Sequence, residues 1–203
     1  MTVRYFAAAL LSAPLLTVAL SAPAHAQAVN GHKFLQAVKD RDGDTATSML
    51  DLPGGTLINT RDLSNGKSAI HIVSERRDLV WMKFMLDRGA NPNATDNAGN
   101  TPLVLSTQAR HQDGVTLLLD KGANVNQGGA RGETPLMKAV MNRDLAMVRL
   151  LVARGADPDK SDSFSGSSPR SLAKRDPRAS SILAALEAPK AASDKPVMGP
   201  SIK

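Results

Sequence analysis

No cysteine occurs in the 203 residues. That excludes disulfides, thiol nucleophiles, thiolate-ligated metals and a lipid carried on an N-terminal cysteine. Aromatic residues are nearly as scarce, with one Trp, one Tyr and four Phe. A single-strand nucleic-acid binder stacks bases on aromatic rings, so the formal charge of +6 points elsewhere, to electrostatic steering toward an acidic protein or an anionic envelope. Catalytic patterns are missing too. No serine lies in a G-x-S-x-G turn, and no H-E-x-x-H or phosphate-cradling loop occurs. Gly128-Gly129 precedes a hairpin and lacks the lysine of a P-loop. His32 and His111 have no ligand-like partner at helical spacing, and no paired His, Asp or Glu marks a metal site. The expectation is a non-enzyme with no catalytic residue, no cofactor and no metal.

Long apolar runs are absent except at the start. Arg4 is followed by the run Phe6 to Leu20 and by Ala24-His25-Ala26, the n-region, h-region and A-x-A site of a secretory signal peptide. The run is short for a bilayer span of about 20 residues. Residues 1–26 are therefore expected to be cut before Gln27, an uncleaved anchor being the alternative, and the mature protein to be periplasmic or secreted. Removing Arg4 takes the charge from +6 to +5, and nothing after Ala26 supports membrane insertion.

What is present is a period. Gly66, Gly99 and Gly132 are 33 apart, as are Gly89, Gly122 and Gly155. Within one period, residues 96–126 carry a turn ending at Gly99, a Thr101-Pro102 helix start and a helix ending near Arg110. A second helix follows, with Val115, Leu118 and Leu119 on one stripe, and stops at Lys121-Gly122. Neither helix is long enough to stand alone in water, so each unit must bury its apolar face against its neighbours. Asn91 to Asn93, Asn124 to Asn126 and Asp157 to Asp159 close successive units, and Asp42, Asp78 and Asp144 stand where an aspartate caps a second helix.

Thr101-Pro102-Leu103 and Thr134-Pro135-Leu136, the degraded copy Lys67-Ser68-Ala69-Ile70-His71 and the echo Ser168-Pro169 give this period its identity. A 33-residue unit of turn, Thr-Pro-Leu, two helices and Gly-Ala-Asn resembles the ankyrin repeat. The resemblance covers roughly residues 32 to 187. It implies an all-α solenoid of about five helix-turn-helix repeats joined by short β-hairpin loops. The domain is expected over 27–188, with repeats near 30–58, 59–92, 93–125, 126–158 and 159–188. The first repeat departs from the pattern because its outer face meets water, and one residue is inserted near Phe164 in the last. Residues 189–203 are expected to be a disordered tail.

In that family the histidine at the place of His71 braces neighbouring repeats by hydrogen bonding, and binding uses hairpin tips and the exposed side of the first helices. Carried over, the tips are Ser64, Asn65 and Lys67; Asn97, Ala98 and Asn100; and Ala130, Arg131 and Glu133. The helix positions are Glu75 and Arg76, Gln108 and Ala109, Met141 and Asn142. One column departs from the family. Where its turn between helices holds glycine, this chain has Arg41, Arg77, Arg110 and Arg143. Either the arginines sit favourably at a helix C-terminal dipole, or they form a ladder of guanidinium groups for a partner's carboxylates. The resemblance implies a monomeric module for binding another protein, without nucleic acid. The alternatives are a periplasmic immunity or inhibitor protein and a structural envelope component with no single high-affinity partner.

Overall fold

The computed structural model describes residues 24–52, 57–129 and 131–187. The expected leader up to residue 23, the Pro-Gly loop over 53–56, the tip residue Ala130 and the tail lie outside the described residues. Helices form in pairs: α1 (Ala24–Asp40) with α2 (Gly43–Leu50), α3 (Ala69–Glu75) with α4 (Leu79–Asp87), α5 (Pro102–Gln108) with α6 (Gln112–Asp120), α7 (Pro135–Met141) with α8 (Leu145–Ala153), and α9 (Pro169–Arg175) with α10 (Ser180–Glu187). Helix α1 starts at Ala24, so cleavage before Gln27 would remove its first residues.

The starts are built by side-chain caps. Thr101 Oγ1 accepts from Val104 N at 3.2 Å, and Thr134 and Ser168 do the same for Met137 and Ser171. Proline follows each of these caps, where it loses no helical hydrogen bond. The link between paired helices is equally local. Arg77 N donates to Ser74 O and Asp78 N to Val73 O, which is the Schellman closure. The same two bonds recur around Arg41, Arg110 and Arg143. This closure needs a left-handed residue, and all four arginines take it, at φ 61, 59, 56 and 51°.

First helices stack in one row and second helices in another, α3 on α5 on α7 on α9 and α4 on α6. The core lies between the rows and repeats with the sequence: Phe34, Ile70, Leu103 and Leu136 on the first helices, Ala46, Met82, Val115 and Val148 on the second, all buried. Leu118 is fully buried, while Leu119 packs only partly against the core. At the far end, Arg170 caps the stack by pairing with both oxygens of Asp159 at 2.7 and 3.0 Å.

The loops are tighter than hairpins with strands. Among the described residues no strand forms, and the one bridge joins Arg61 to Ser68. Each loop is closed instead by a short backbone bond, Asp62 N to Lys67 O, Asp96 N to Asn100 O, Gly129 N to Glu133 O and Asp162 N to Ser167 O. Asparagines at the loop bases then clip one repeat to the next. Asn93 Oδ1 accepts from Asn124 N at 2.7 Å while its Nδ2 donates to Gly122 O. Asn59 and Asn126 repeat that pair of bonds one step before and after.

Candidate functional site

The tips and the C-terminal ends of α3, α5 and α7 are the surface that the family pattern nominates. Glu75, Gln108 and Met141 are the last residues of those three helices, 33 apart and all exposed, Met141 at 58%. Successive tips join edge to edge through Asn97 N to Asn65 O and Ser163 N to Arg131 O, both 2.9 Å. Asn97 adds Nδ2 to Ser64 O at 3.4 Å and accepts from Arg61 at 3.3 Å. Lys67 Nζ reaches both oxygens of Glu75, at 2.6 and 2.8 Å, and ties the first of these tips to the end of α3. Glu133 is held by Lys138 at 2.8 Å. Asn100 is folded back onto Asp96, and its carbonyl accepts from His71 Nε2 at 3.2 Å.

The nominated residues therefore divide. Ser64, Asn65, Arg131, Gln108 and Met141 present exposed side chains along the edge, and Gln108 shares an open hollow of about 270 Å³ with Glu75, Leu105 and Ala109. Arg76 is turned into the stack. Its Nη1 donates to Val38 O at 2.9 Å and to Lys39 O at 3.2 Å, and its guanidinium lies 5.9 Å from the Trp81 ring. Asn142 offers its carbonyl to Arg110 at 2.7 Å.

The arginine column is largely consumed in the same way. Arg41 Nε lies 3.2 Å from Asp78, and Arg143 Nε lies 2.7 Å from Asp176. With Arg110 on the Asn142 carbonyl, these three each grip the following repeat. Arg77 differs: the N-cap it faces is His111, at the place where α2, α4 and α8 carry the caps Asp42, Asp78 and Asp144. Burial first, then Arg77, pushes the His111 pKa down, and its Nδ1 is buried without a hydrogen-bond partner. His71 is buried outright, braced between Ser68 and the carbonyls of Ala94 and Asn100, and its pKa is lowered chiefly by that burial. Its role is to join two repeats.

Sequence reasoning missed two side chains. Leu63 is 95% exposed and Phe164 81% exposed, each on a tip. Their loops close over one residue more than the two between them, from Asp62 to Lys67 and from Asp162 to Ser167. An aspartate pins each loop: Asp62 takes the N–H and hydroxyl of Ser64, and Asp162 takes Ser165 and the Phe164 N–H. The Ser64 hydroxyl, ahead of its N–H and Lys39, holds the Asp62 carboxyl well below the ordinary range. The signal was available, since Asp62 and Asp96 are 34 apart where Gly66 and Gly99 are 33. The guanidinium of Arg131 lies 5.5 Å from the Phe164 ring centroid, within cation–π range.

Residues 34–129 match the family model for ankyrin repeats in three copies, and residues 118–173 match that for many copies. The chain belongs to the ankyrin-repeat family. Ankyrin repeats generally mediate protein–protein interaction, and the family is typically non-enzymatic. An ankyrin repeat protein of fowlpox virus is 38% identical over 52 residues, which is 26% of this chain and 15% of that protein. The nuclear factor NF-kappa-B p110 subunit of Drosophila melanogaster is 33% identical over 55 residues, 27% of this chain and 6% of its own. An L-asparaginase of Dirofilaria immitis is 37% identical over 71 residues, 35% of this chain and 12% of its own. The chain thus spans no more than 15% of any of these three relatives, and the likeness is one of ankyrin repeats.

Proposed function

We propose that this ankyrin-repeat chain is an exported, non-enzymatic module that captures a partner protein in the bacterial envelope. The contact runs along the tips and the exposed ends of α3, α5 and α7. The observation that carries the reading is Met141, a large apolar side chain 58% exposed at the end of α7. It has the polar ends Glu75 and Gln108 in register beside it and Arg131 on the tip of the same repeat. Methionine and arginine are enriched at interfaces, and a few central residues supply most of the affinity. The leader motif supports export, and a mature charge of +5 (+6 less Arg4) favours an acidic partner.

The test is cross-linked capture from the envelope fraction, with the captured chain sequenced from its N-terminus. Arg131→Ala with Met141→Ala is expected to abolish capture without lowering Tm, and the chain is expected to begin at Gln27. Capture that survives this pair but is lost on Arg77→Ala with Arg110→Ala would assign binding to the arginine column instead. A chain found only full-length in the cytoplasm would defeat the export reading.

A further inference from the structure

The arginines of the inter-helix turns meet the next repeat through one recurring device. In Asp78, Oδ1 accepts from Trp81 N at 3.3 Å and Oδ2 lies 3.2 Å from Arg41 Nε. In Asp176, Oδ1 accepts from Arg178 N at 3.0 Å and Oδ2 from Arg143 Nε at 2.7 Å. One carboxylate oxygen takes the helix N–H, and the other takes the arginine of the preceding repeat. Asp144 caps Met147 N in the same way at 3.0 Å, although there Arg110 turns to the Asn142 carbonyl.

Helix α6 has only half of this device. Its N-cap is His111, and no side-chain hydrogen bond closes that cap. The ring leans over Gly114, where a Cβ would collide with Nδ1 and Cε1, and where α4 and α8 carry Trp81 and Met147. Nδ1 therefore stands over the first turn, in the place of an aspartate's Oδ1, buried and without a partner, on a residue 8% exposed. Unpaired backbone N–H groups gather at that turn, which assigns the ring proton to Nε2. Nε2 has no partner among the described residues and is not buried, so its N–H is offered to solvent. In the place of Oδ2 the ring has only carbon, and Arg77 meets no acceptor there. The nearby acids do not supply one. Asp78 is shared by Arg41 and Arg76, both at 3.2 Å. Asp113, exposed in the first turn of α6 and close enough to act on the ring, pairs with no arginine among the described residues.

We propose that Arg77, His111 Nε2 and the start of α6 form a binding site for a carboxylate on an acidic side chain of a partner protein, a site separate from the tips. A forked guanidinium, an imidazole N–H and the positive end of a 9-residue helix together fit a planar anion that accepts on both oxygens. The equivalent places in this chain hold aspartate side chains, which is why the carboxylate is assigned to a side chain and not to a chain end or a free ion.

The full chain, labelled with nitrogen-15, is titrated with a short glycine peptide carrying one central glutamate and blocked at both ends. NMR follows the amides of Gln112, Asp113 and Gly114 and the ring nitrogens of His111. The glutamate peptide is expected to shift these signals saturably, and its blocked glutamine counterpart to bind about tenfold more weakly. A glutamine peptide with a free C-terminus tests the chain-end carboxylate and is expected to bind no better than the blocked one. His111→Asp supplies the carboxylate from within, so it is expected to abolish binding while raising Tm. Arg77→Ala is expected to weaken the glutamate peptide about tenfold at unchanged Tm, whereas Arg143→Ala, whose arginine already holds Asp176, leaves it unchanged. Equal binding of the glutamate and blocked glutamine peptides, equal losses on Arg77→Ala and Arg143→Ala, or binding that survives His111→Asp overturns the proposal. So does tighter binding of the free-ended glutamine peptide or of inorganic phosphate, which would assign the site to a chain end or to a free anion.

Discussion

Arg77 sits at φ 59° with no hydrogen bond to its guanidinium among the described residues, while Arg143, in the same conformation, reaches Asp176 at 2.7 Å. A left-handed residue with a Cβ costs about 1–2 kcal/mol, and glycine gives back about 0.5–1 kcal/mol through the unfolded chain. Arg77→Gly is expected to raise stability by about 0.5–1 kcal/mol in urea melts. Arg143→Gly gains less, because it also surrenders a half-exposed ion pair whose value is about 0–1 kcal/mol. Arg77→Ala, still strained, gains nothing. A lower midpoint for Arg77→Gly would mean that this guanidinium holds the stack by contacts other than hydrogen bonds.

At the scale of the helix, α6 shows which contacts hold a repeat. Leu118 is fully buried between the rows, whereas Lys121 caps the same helix and pairs with Asp87 at 2.7 Å. That pair is one rung of a ladder along the ends of the second helices, with Arg88 on Asp51 and Arg154 on Asp120, both 2.8 Å. Lys121 and then Lys83 hold the Asp87 pKa down at about 2. All three rungs are solvent-exposed and screened, so each adds little. Leu118→Ala is expected to lower stability by about 2–5 kcal/mol, and Lys121→Ala by well under 1 kcal/mol. Equal losses in the two melts would show that the rungs, not the buried stripe, join the repeats.

For the whole molecule, repeats that contact only their neighbours melt according to the interfaces between them, and both buried histidines lie at such interfaces. Burial lowers the pKa of His71 and of His111. The unfolded chain takes up these protons at about pH 6.5 and the folded chain only at lower pH. Stability is therefore complete above about pH 6.5 and falls as pH drops toward the folded values. The depressed carboxylates Asp62, Asp159, Asp162 and Asp176 contribute stability that persists until pH falls below about 3.9. Tm is expected to hold above pH 7, to drop between about pH 6.5 and 5, and to drop again below pH 4. His111→Asp supplies the cap that Asp42, Asp78 and Asp144 supply elsewhere and gives Arg77 a carboxylate. It is expected to add about 1 kcal/mol at pH 7 and to make the first drop shallower. A flat Tm from pH 7 to 5 would refute the histidine account.

Local rules governed much of this protein, and for that reason its sequence determined the family, the repeat count, the helix starts at Thr101-Pro102 and Thr134-Pro135, and the caps at Asp42, Asp78 and Asp144, whereas the brace at His71 was legible only through the family resemblance, because its partners Ala94 and Asn100 lie in the next repeat. Caps, Schellman turns and a 33-residue period act within a few residues of chain, where spacing alone is decisive. Only the stack decided the rest. Whether Arg76 or Arg131 points outward depends on which carbonyls and rings the neighbouring repeat brings within reach, and Arg76 found Val38, Lys39 and Trp81. The arginine column became a set of grips on the next repeat because stacking carries Asp78, Asn142 and Asp176 alongside it. An open groove walled by Gly43, Asp44, Thr47, Val80, Trp81 and Phe84 exists because residues unremarkable in α2 come to lie opposite two aromatic rings on α4, a juxtaposition that no pattern within one repeat contains.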